Sequence, residues 1–211
     1  FTDPYAGEIA YVDACLGQVI ERLKQLQLYD STLIIVTSDH GEMLGEHGEG
    51  EHSFFIYQSA IRVPLIIKLP GSSQAQTIES LAGIIDIVPT VCGLLGIQPP
   101  PEAHGRDLSA SLGKSERSLP ERYYYCESFT PTKYNASPLL SVLTKDWTFI
   151  HSTRPELYHL AEDPKETTNA VDVYPDRARV LQYRLKEMVE EYHRDDTDAH
   201  RPVDDNTQQQ I

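Results

Sequence analysis

With 211 residues, 40% of them hydrophobic, the chain is long enough to bury one sizeable core, in one domain or one domain plus a small appendage. A formal charge of −14 argues against a polyanion such as nucleic acid as partner; a small anionic ester stays open, because a bound metal ion reverses the local field. No segment reaches the ~18 to 20 consecutive apolar residues of a membrane span. Cys15, Cys92 and Cys126 match no metal or redox spacing, and two of them sit in apolar helical patterns that read as buried free thiols.

The first predicted element is an amphipathic helix over Glu8–Leu26, with Ile9, Val12, Leu16, Val19, Ile20, Leu23 and Leu26 at helical spacing, covering one face of a sheet. Tyr29-Asp30-Ser31 turns the chain into Thr32–Val36, a continuous β-branched and apolar run that predicts a strand buried on both faces of a parallel sheet. At its carboxyl end, where open α/β sheets collect their ligands, stand Asp39, His40 and Gly41. A carboxylate and an imidazole side by side are ordinary ligands for a divalent cation, and Gly41 lets the backbone turn away beneath them. The same three residues also read as a strand-end Asp capping the next turn beside a surface His.

Glu42, Glu46, Glu49 and Glu51 read as solvated charge in a Gly-rich loop, and His47 as a brace for that loop. Phe54 to Tyr57 predicts packing, and Arg62 a structural ion-pair partner. Val63–Leu69 is a second buried strand with Pro64 at its start. Ser80–Leu95 predicts an extended stretch and then a short helix from Asp86 or Ile87, with Pro89 in the first turn. Pro99–Pro101 and Gly113–Glu121 are connectors. Four short aromatic and β-branched runs follow, Tyr123–Phe129, Pro138–Thr144, Asp146–His151 and Glu156–Leu160, predicting an antiparallel sheet of three or four strands. A helix over Pro175–Tyr192 then presents Val180, Tyr183, Leu185, Met188, Val189 and Tyr192 as its inner face. Beyond His193 the chain is too polar to order itself.

Several of these stretches, in this order, resemble the sulfatase branch of the alkaline phosphatase superfamily. They are Pro4 to Gly17; Ser38-Asp39-His40-Gly41-Glu42 at the strand end; Gly45-Glu46-His47-Gly48; Arg62-Val63-Pro64-Leu65-Ile66 entering the next strand; Ile85 to Pro101; His104 to Leu112; and Leu157 to Asn169, with His159 where Asp is usual. The resemblance covers roughly residues 4 to 190 and implies an α/β fold: part of an alkaline-phosphatase-like parallel sheet with helices on both faces, plus a small antiparallel sheet subdomain with a carboxyl-terminal helix. It implies boundaries of 1–121 for the α/β part, 122–192 for the subdomain and 193–211 for a polar tail.

The resemblance makes Asp39 and His40 ligands of one divalent metal, calcium first, manganese or magnesium otherwise. His52 takes the place of a substrate-binding Lys and so contacts the anionic group of the substrate, with a charge that depends on pH where Lys stays cationic. Asp86 fixes a helix entrance. The family's Cys-x-Pro-x-Arg or Ser-x-Pro-x-Arg motif, whose first residue matures to the formylglycine nucleophile, is opened by none of the three cysteines, and the paired aspartates that complete the metal site have no candidate. The implied identity is therefore the carboxyl-terminal half of a sulfate-ester hydrolase. Its amino-terminal half is then a necessary partner, Phe1 lies inside a longer polypeptide, and the isolated 211 residues are inert. A phosphodiester or phosphonate-ester hydrolase of the same superfamily, and a non-catalytic fragment or pseudoenzyme, are the alternatives.

Overall fold

The structure, a computed structural model, describes residues 3–73, 75–112 and 121–198; most of the second connector and the end of the polar tail lie outside them. The chain forms two compact units, one of Phe1–Asp39 with Val63–Thr77, the other of His40–Arg62 with Ile78–Ile211. They interleave along the sequence, whereas the boundaries expected above run consecutively.

The first unit holds helix α1 (Pro4–Gln25) and strands β1 (Ile34–Thr37) and β2 (Leu65–Lys68). The carboxylate of Asp3 accepts a hydrogen bond from Tyr5 N at 3.0 Å, Pro4 opens the helix, and Arg22 and Lys24 sit in its last turn, so both ends carry the residues that helix termini favour. The strands pair antiparallel, Ile34 opposite Lys68 and Thr37 opposite Leu65. That corrects the parallel neighbour expected for Thr32–Val36: among the described residues its strand partner is β2, and β1 is half-buried, not covered on both faces. In the same way α1 buries none of its residues, and Ile9 and Val12 are more than half exposed, because a two-stranded ribbon is too small to cover an apolar stripe of that length. Cys15 is accordingly half-buried; Cys92, in the second unit, is buried as expected.

The second unit is built on a four-stranded antiparallel sheet in sequential order, β3 (Tyr124–Ser128), β4 (Leu139–Leu143), β5 (Trp147–His151) and β6 (Glu156–His159). Each strand falls within its predicted run. Alternation divides the side chains between two faces. Val142, Phe149 and Leu157 pack against Ala178, Leu181, Leu185 and Met188 of a long helix. On the opposite face, Ile150 and Tyr158 pack against Met43, Ile56, Tyr57 and Ala60. The segment that follows Asp39 is thereby mounted on the sheet.

That segment contains α2 (Gln58–Ile61), and α3 (Ile87–Leu95) follows with Pro89 in its first turn and Gly96 as a left-handed cap. The long helix, α4, spans Pro175–Asp198, past the expected end at Tyr192, since each added residue gains one backbone hydrogen bond. Its inner face is also rotated from the expected one: Val180 and Tyr183 are exposed, and Ala178 and Leu181 take their place at the spacing that includes Leu185 and Met188.

Asp86 does fix a helix entrance. It is 1% exposed. Its Oδ2 accepts from Gly83 N at 2.9 Å and from the Tyr124 hydroxyl at 2.5 Å. Its Oδ1 accepts from Arg106 N at 2.7 Å and from Arg122 Nη1 at 2.5 Å. The approach of the Arg106 backbone requires Gly105, where a Cβ would stand 1.9 Å from the Ile85 carbonyl oxygen.

Candidate functional site

Asp39 is the last residue of the first unit and His40 the first of the second, joined by one peptide bond. The Ser38 hydroxyl donates to Asp39 Oδ1 at 3.4 Å. In the second unit the chain leaves His40 through Gly41, whose N–H donates to the Ala60 carbonyl at 2.7 Å. A Cβ on Gly41 would lie 2.2 Å from the Ser59 carbonyl oxygen, so only glycine fits.

Two sequence-predicted site residues, His40 and His52, meet here, and Glu42 joins them. The rings of His40 and His52 stack with centroids 3.9 Å apart and planes inclined by 27°. His40 Nδ1 lies 2.8 Å from the Gly41 carbonyl oxygen and, since a carbonyl only accepts, carries the proton. Nε2 is then the lone-pair nitrogen, the tautomer a metal-ligating His adopts when its other nitrogen donates to a backbone carbonyl. His52 Nδ1 lies 3.2 and 3.3 Å from the two carboxylate oxygens of Glu42. Glu42 is thus not solvated loop charge but the group that orients His52.

Of the other acidic residues in the loop, Glu46 stays exposed, as expected, while Glu49 departs from the solvated reading. Glu46 accepts from Leu44 N at 2.6 Å, and backbone hydrogen bonds, its own first, hold its carboxyl below the usual value. Glu49 accepts from Phe54 N and Phe55 N at 3.0 and 2.9 Å, closing the loop. His47 braces, as expected: it takes up a left-handed φ of 52° between Gly45 and Gly48, stacks on Tyr57 at 3.6 Å and contacts the Lys165 carbonyl at 3.1 Å through Nε2. Arg62 does not follow expectation. It caps α2 through its backbone N–H, its side chain is exposed, and it forms no ion pair among the described residues.

Beneath this segment lies a buried polar cluster that no local pattern announces. The hydroxyls of Tyr57 and Tyr158 both donate to Glu156 Oε2, at 2.8 and 2.6 Å, and burial raises the pKa of both phenols. Glu166, 1% exposed, accepts from Gln58 N at 2.6 Å across 108 residues of sequence. Burial pushes its carboxyl up to about 7, against the opposing hydrogen bond from Gln58.

Asp39 and His40 offer an oxygen and a nitrogen suited to a divalent cation, but among the described residues no group of three or more His, Cys, Asp or Glu side chains converges on one point. A hard cation such as calcium takes ~6 to 8 oxygen ligands, so the donor types fit and their number alone does not complete a shell. No helix of the described residues is long and apolar enough to cross a membrane.

Residues 1–97 match the sulfatase family model. Bovine (Bos taurus) arylsulfatase K is 31% identical over 195 residues, covering 88% of this chain and 36% of the relative. The N-acetylglucosamine-6-O-sulfatase of Bacteroides thetaiotaomicron is 28% identical over 209 residues, covering 94% of this chain and 37% of the relative. Among solved structures, the phosphonate monoester hydrolase of Agrobacterium radiobacter superposes with a TM-score of 0.74 at 28% identity, over 89% of this chain and 40% of its own. The chain spans little more than a third of the curated relatives it matches. The strand-end Asp39-His40-Gly41, the loop behind it and these likenesses converge: the chain belongs to the sulfatase family and carries part of its alkaline-phosphatase-like α/β fold.

Proposed function

We propose that this chain is the carboxyl-terminal part of a metal-dependent hydrolase of sulfate esters. The observation that carries the reading is the stacked pair of His40 and His52, with Glu42 on the outer imidazole, in a family whose members cleave such esters. Asp39 and His40 would hold one divalent metal, calcium first and manganese or magnesium as alternatives, through a carboxylate oxygen and Nε2. The remaining ligands, and a formylglycine nucleophile, would come from an amino-terminal part that this sequence does not contain. When bound, the metal supplies Lewis acidity at an ester oxygen.

The chain's own residues then act as follows. Gly41 accepts the Nδ1 proton of His40 and fixes its ring. Glu42 accepts the Nδ1 proton of His52, so that the far edge of that imidazole, when protonated, donates to an anionic ester oxygen. The names of the relatives put aryl sulfates and 6-O-sulfated amino sugars among the esters to test. A phosphonate-ester hydrolase is the second reading, favoured by the superposition at a TM-score of 0.74.

The test is the full-length protein with 4-nitrophenyl sulfate and phenyl phosphonate esters, before and after Asp39→Ala. About one metal ion per wild-type molecule, faster cleavage of sulfate than phosphonate, and loss of both metal and activity in the variant are expected. Unchanged metal content and activity in Asp39→Ala would refute the assignment, and faster phosphonate cleavage would select the second reading.

A further inference from the structure

The left-handed backbone of Glu166, φ 54°, follows a turn that Asp163 ties down by accepting from the Thr167 hydroxyl at 3.1 Å and from Thr168 N at 2.8 Å. The strained residue is therefore held in place from its own side of the structure. Its Oε2 reaches Gln58 N, the first N–H of α2, where the N-cap residue Tyr57 makes no side-chain cap. Glu166 thus does for this turn what a Ser or Asp at the cap does elsewhere. Two residues on, the Ala60 carbonyl accepts from Gly41 N, and Gly41 in turn holds the His40 ring. Three short hydrogen bonds, joined through the backbone of α2 and of Gly41, thus link the Glu166 carboxylate to the imidazole.

We propose that Glu166 is a positioning residue of the site, a buried carboxylate that sets the placement of His40 by clamping α2 from the carboxyl-terminal loop. The proposal rests on the reading of His40 as a site residue. Its own evidence is the continuity of the contacts. A carboxylate in that position is costly: burial outweighs the hydrogen bonds from Gln58 N and from the Thr148 hydroxyl of β5 that favour its ionised form. The charged or titratable groups around it are Glu156 on β6, Asp163 in its own loop, Tyr57 beside α2 and His47, which stacks on Tyr57 and contacts the Lys165 carbonyl; the two acids disfavour its ionised form further.

The clamp is consequently pH-dependent, and the direction follows from the shift. The folded carboxyl titrates near 7 against 4.5 when solvated, so the folded state binds the proton more tightly. Protection of the clamp is complete below pH 4.5 and falls as pH rises to about 7, by up to about 300-fold for an opening that solvates Glu166.

Amide hydrogen exchange measured by NMR on the full chain, across pH 4.5 to 8 and corrected for intrinsic rates, tests this. Opening at Gly41 and Gln58 should increase with pH in the wild type. Glu166→Ala should accelerate exchange at those two amides by about 10-fold, as expected for a lost cap, leaving Val142 and Phe149 in the sheet unchanged. Glu166→Gln keeps an oxygen for Gln58 N and has nothing to titrate, so it should restore protection and abolish the pH dependence. Equal acceleration throughout the sheet, unchanged Gly41 and Gln58 in Glu166→Ala, or a pH dependence that survives in Glu166→Gln would each overturn the proposal. None of these readouts involves ester cleavage. Failure of the hydrolase reading would instead appear as metal and activity retained in Asp39→Ala.

Discussion

Replacing Asp86 by Asn removes one charge and one acceptor from a buried carboxylate that accepts four hydrogen bonds. Two backbone donors, a tyrosine hydroxyl and a guanidinium converge on its two oxygens. Asn supplies one oxygen and one NH2. The least costly orientation turns the NH2 toward the Tyr124 hydroxyl, which can rotate to accept, and leaves Gly83 N without a partner, at about 1–3 kcal/mol for an orphaned buried group. The larger loss is at Arg122. Its side chain is 16% exposed and sits over the Tyr124 ring at 4.7 Å, so its charge loses its counter-ion in a site that water barely reaches. Breaking such a pair from one side costs about 3–5 kcal/mol.

The two contributions overlap, and about 4 kcal/mol is expected for Asp86→Asn, a large share of the ~5–15 kcal/mol by which domains are stable. Urea unfolding followed by circular dichroism, with the m-value held unchanged, measures it. Asp86→Asn combined with Arg122→Met should cost at least about 1 kcal/mol less than the sum of the single variants, because the methionine removes the stranded charge. A loss below about 1 kcal/mol in Asp86→Asn, or strict additivity with Arg122→Met, would show that the carboxylate does not organise this region.

Two further outcomes concern the site. Gly41→Ala forces a Cβ against the Ser59 carbonyl oxygen, a backbone atom with no rotamer to yield, so a stability loss of about 1–3 kcal/mol and faster exchange of the Gly41 amide are expected; wild-type stability would contradict the close approach. His52→Ala in the full-length protein should raise KM or lower kcat with metal content intact, and His52→Lys should recover part of the activity; loss of the metal would make His52 a ligand and not an anion contact.

Much of the architecture was legible in the sequence for physical reasons that act locally. Aromatic and β-branched runs between turn residues marked the strands of the antiparallel sheet, and the helical spacing of apolar residues marked α1, though it missed the start at Pro4, which the Asp3 cap sets. The order of several stretches, among them Asp39-His40-Gly41 and the loop after it, carried the family resemblance. The role of Asp86 at a helix entrance was legible too, although its partners were not.

What the sequence left undecided depends on groups brought together from far apart. Glu42 looks like its neighbours Glu46, Glu49 and Glu51 until the loop folds back and places His52 against it. Glu166 lies in a polar, turn-forming stretch, and only tertiary packing buries it against Gln58, where losing water shifts its titration. The inner face of α4 was displaced because several apolar stripes compete on one helix, and the sheet that receives them selects the stripe holding Leu181. The strand at Ile34–Thr37 is apolar throughout, which records how much cover it wants but not which way its neighbour runs. That direction is set by backbone pairing with β2, twenty-eight positions further on, and side-chain pattern carries no information about it.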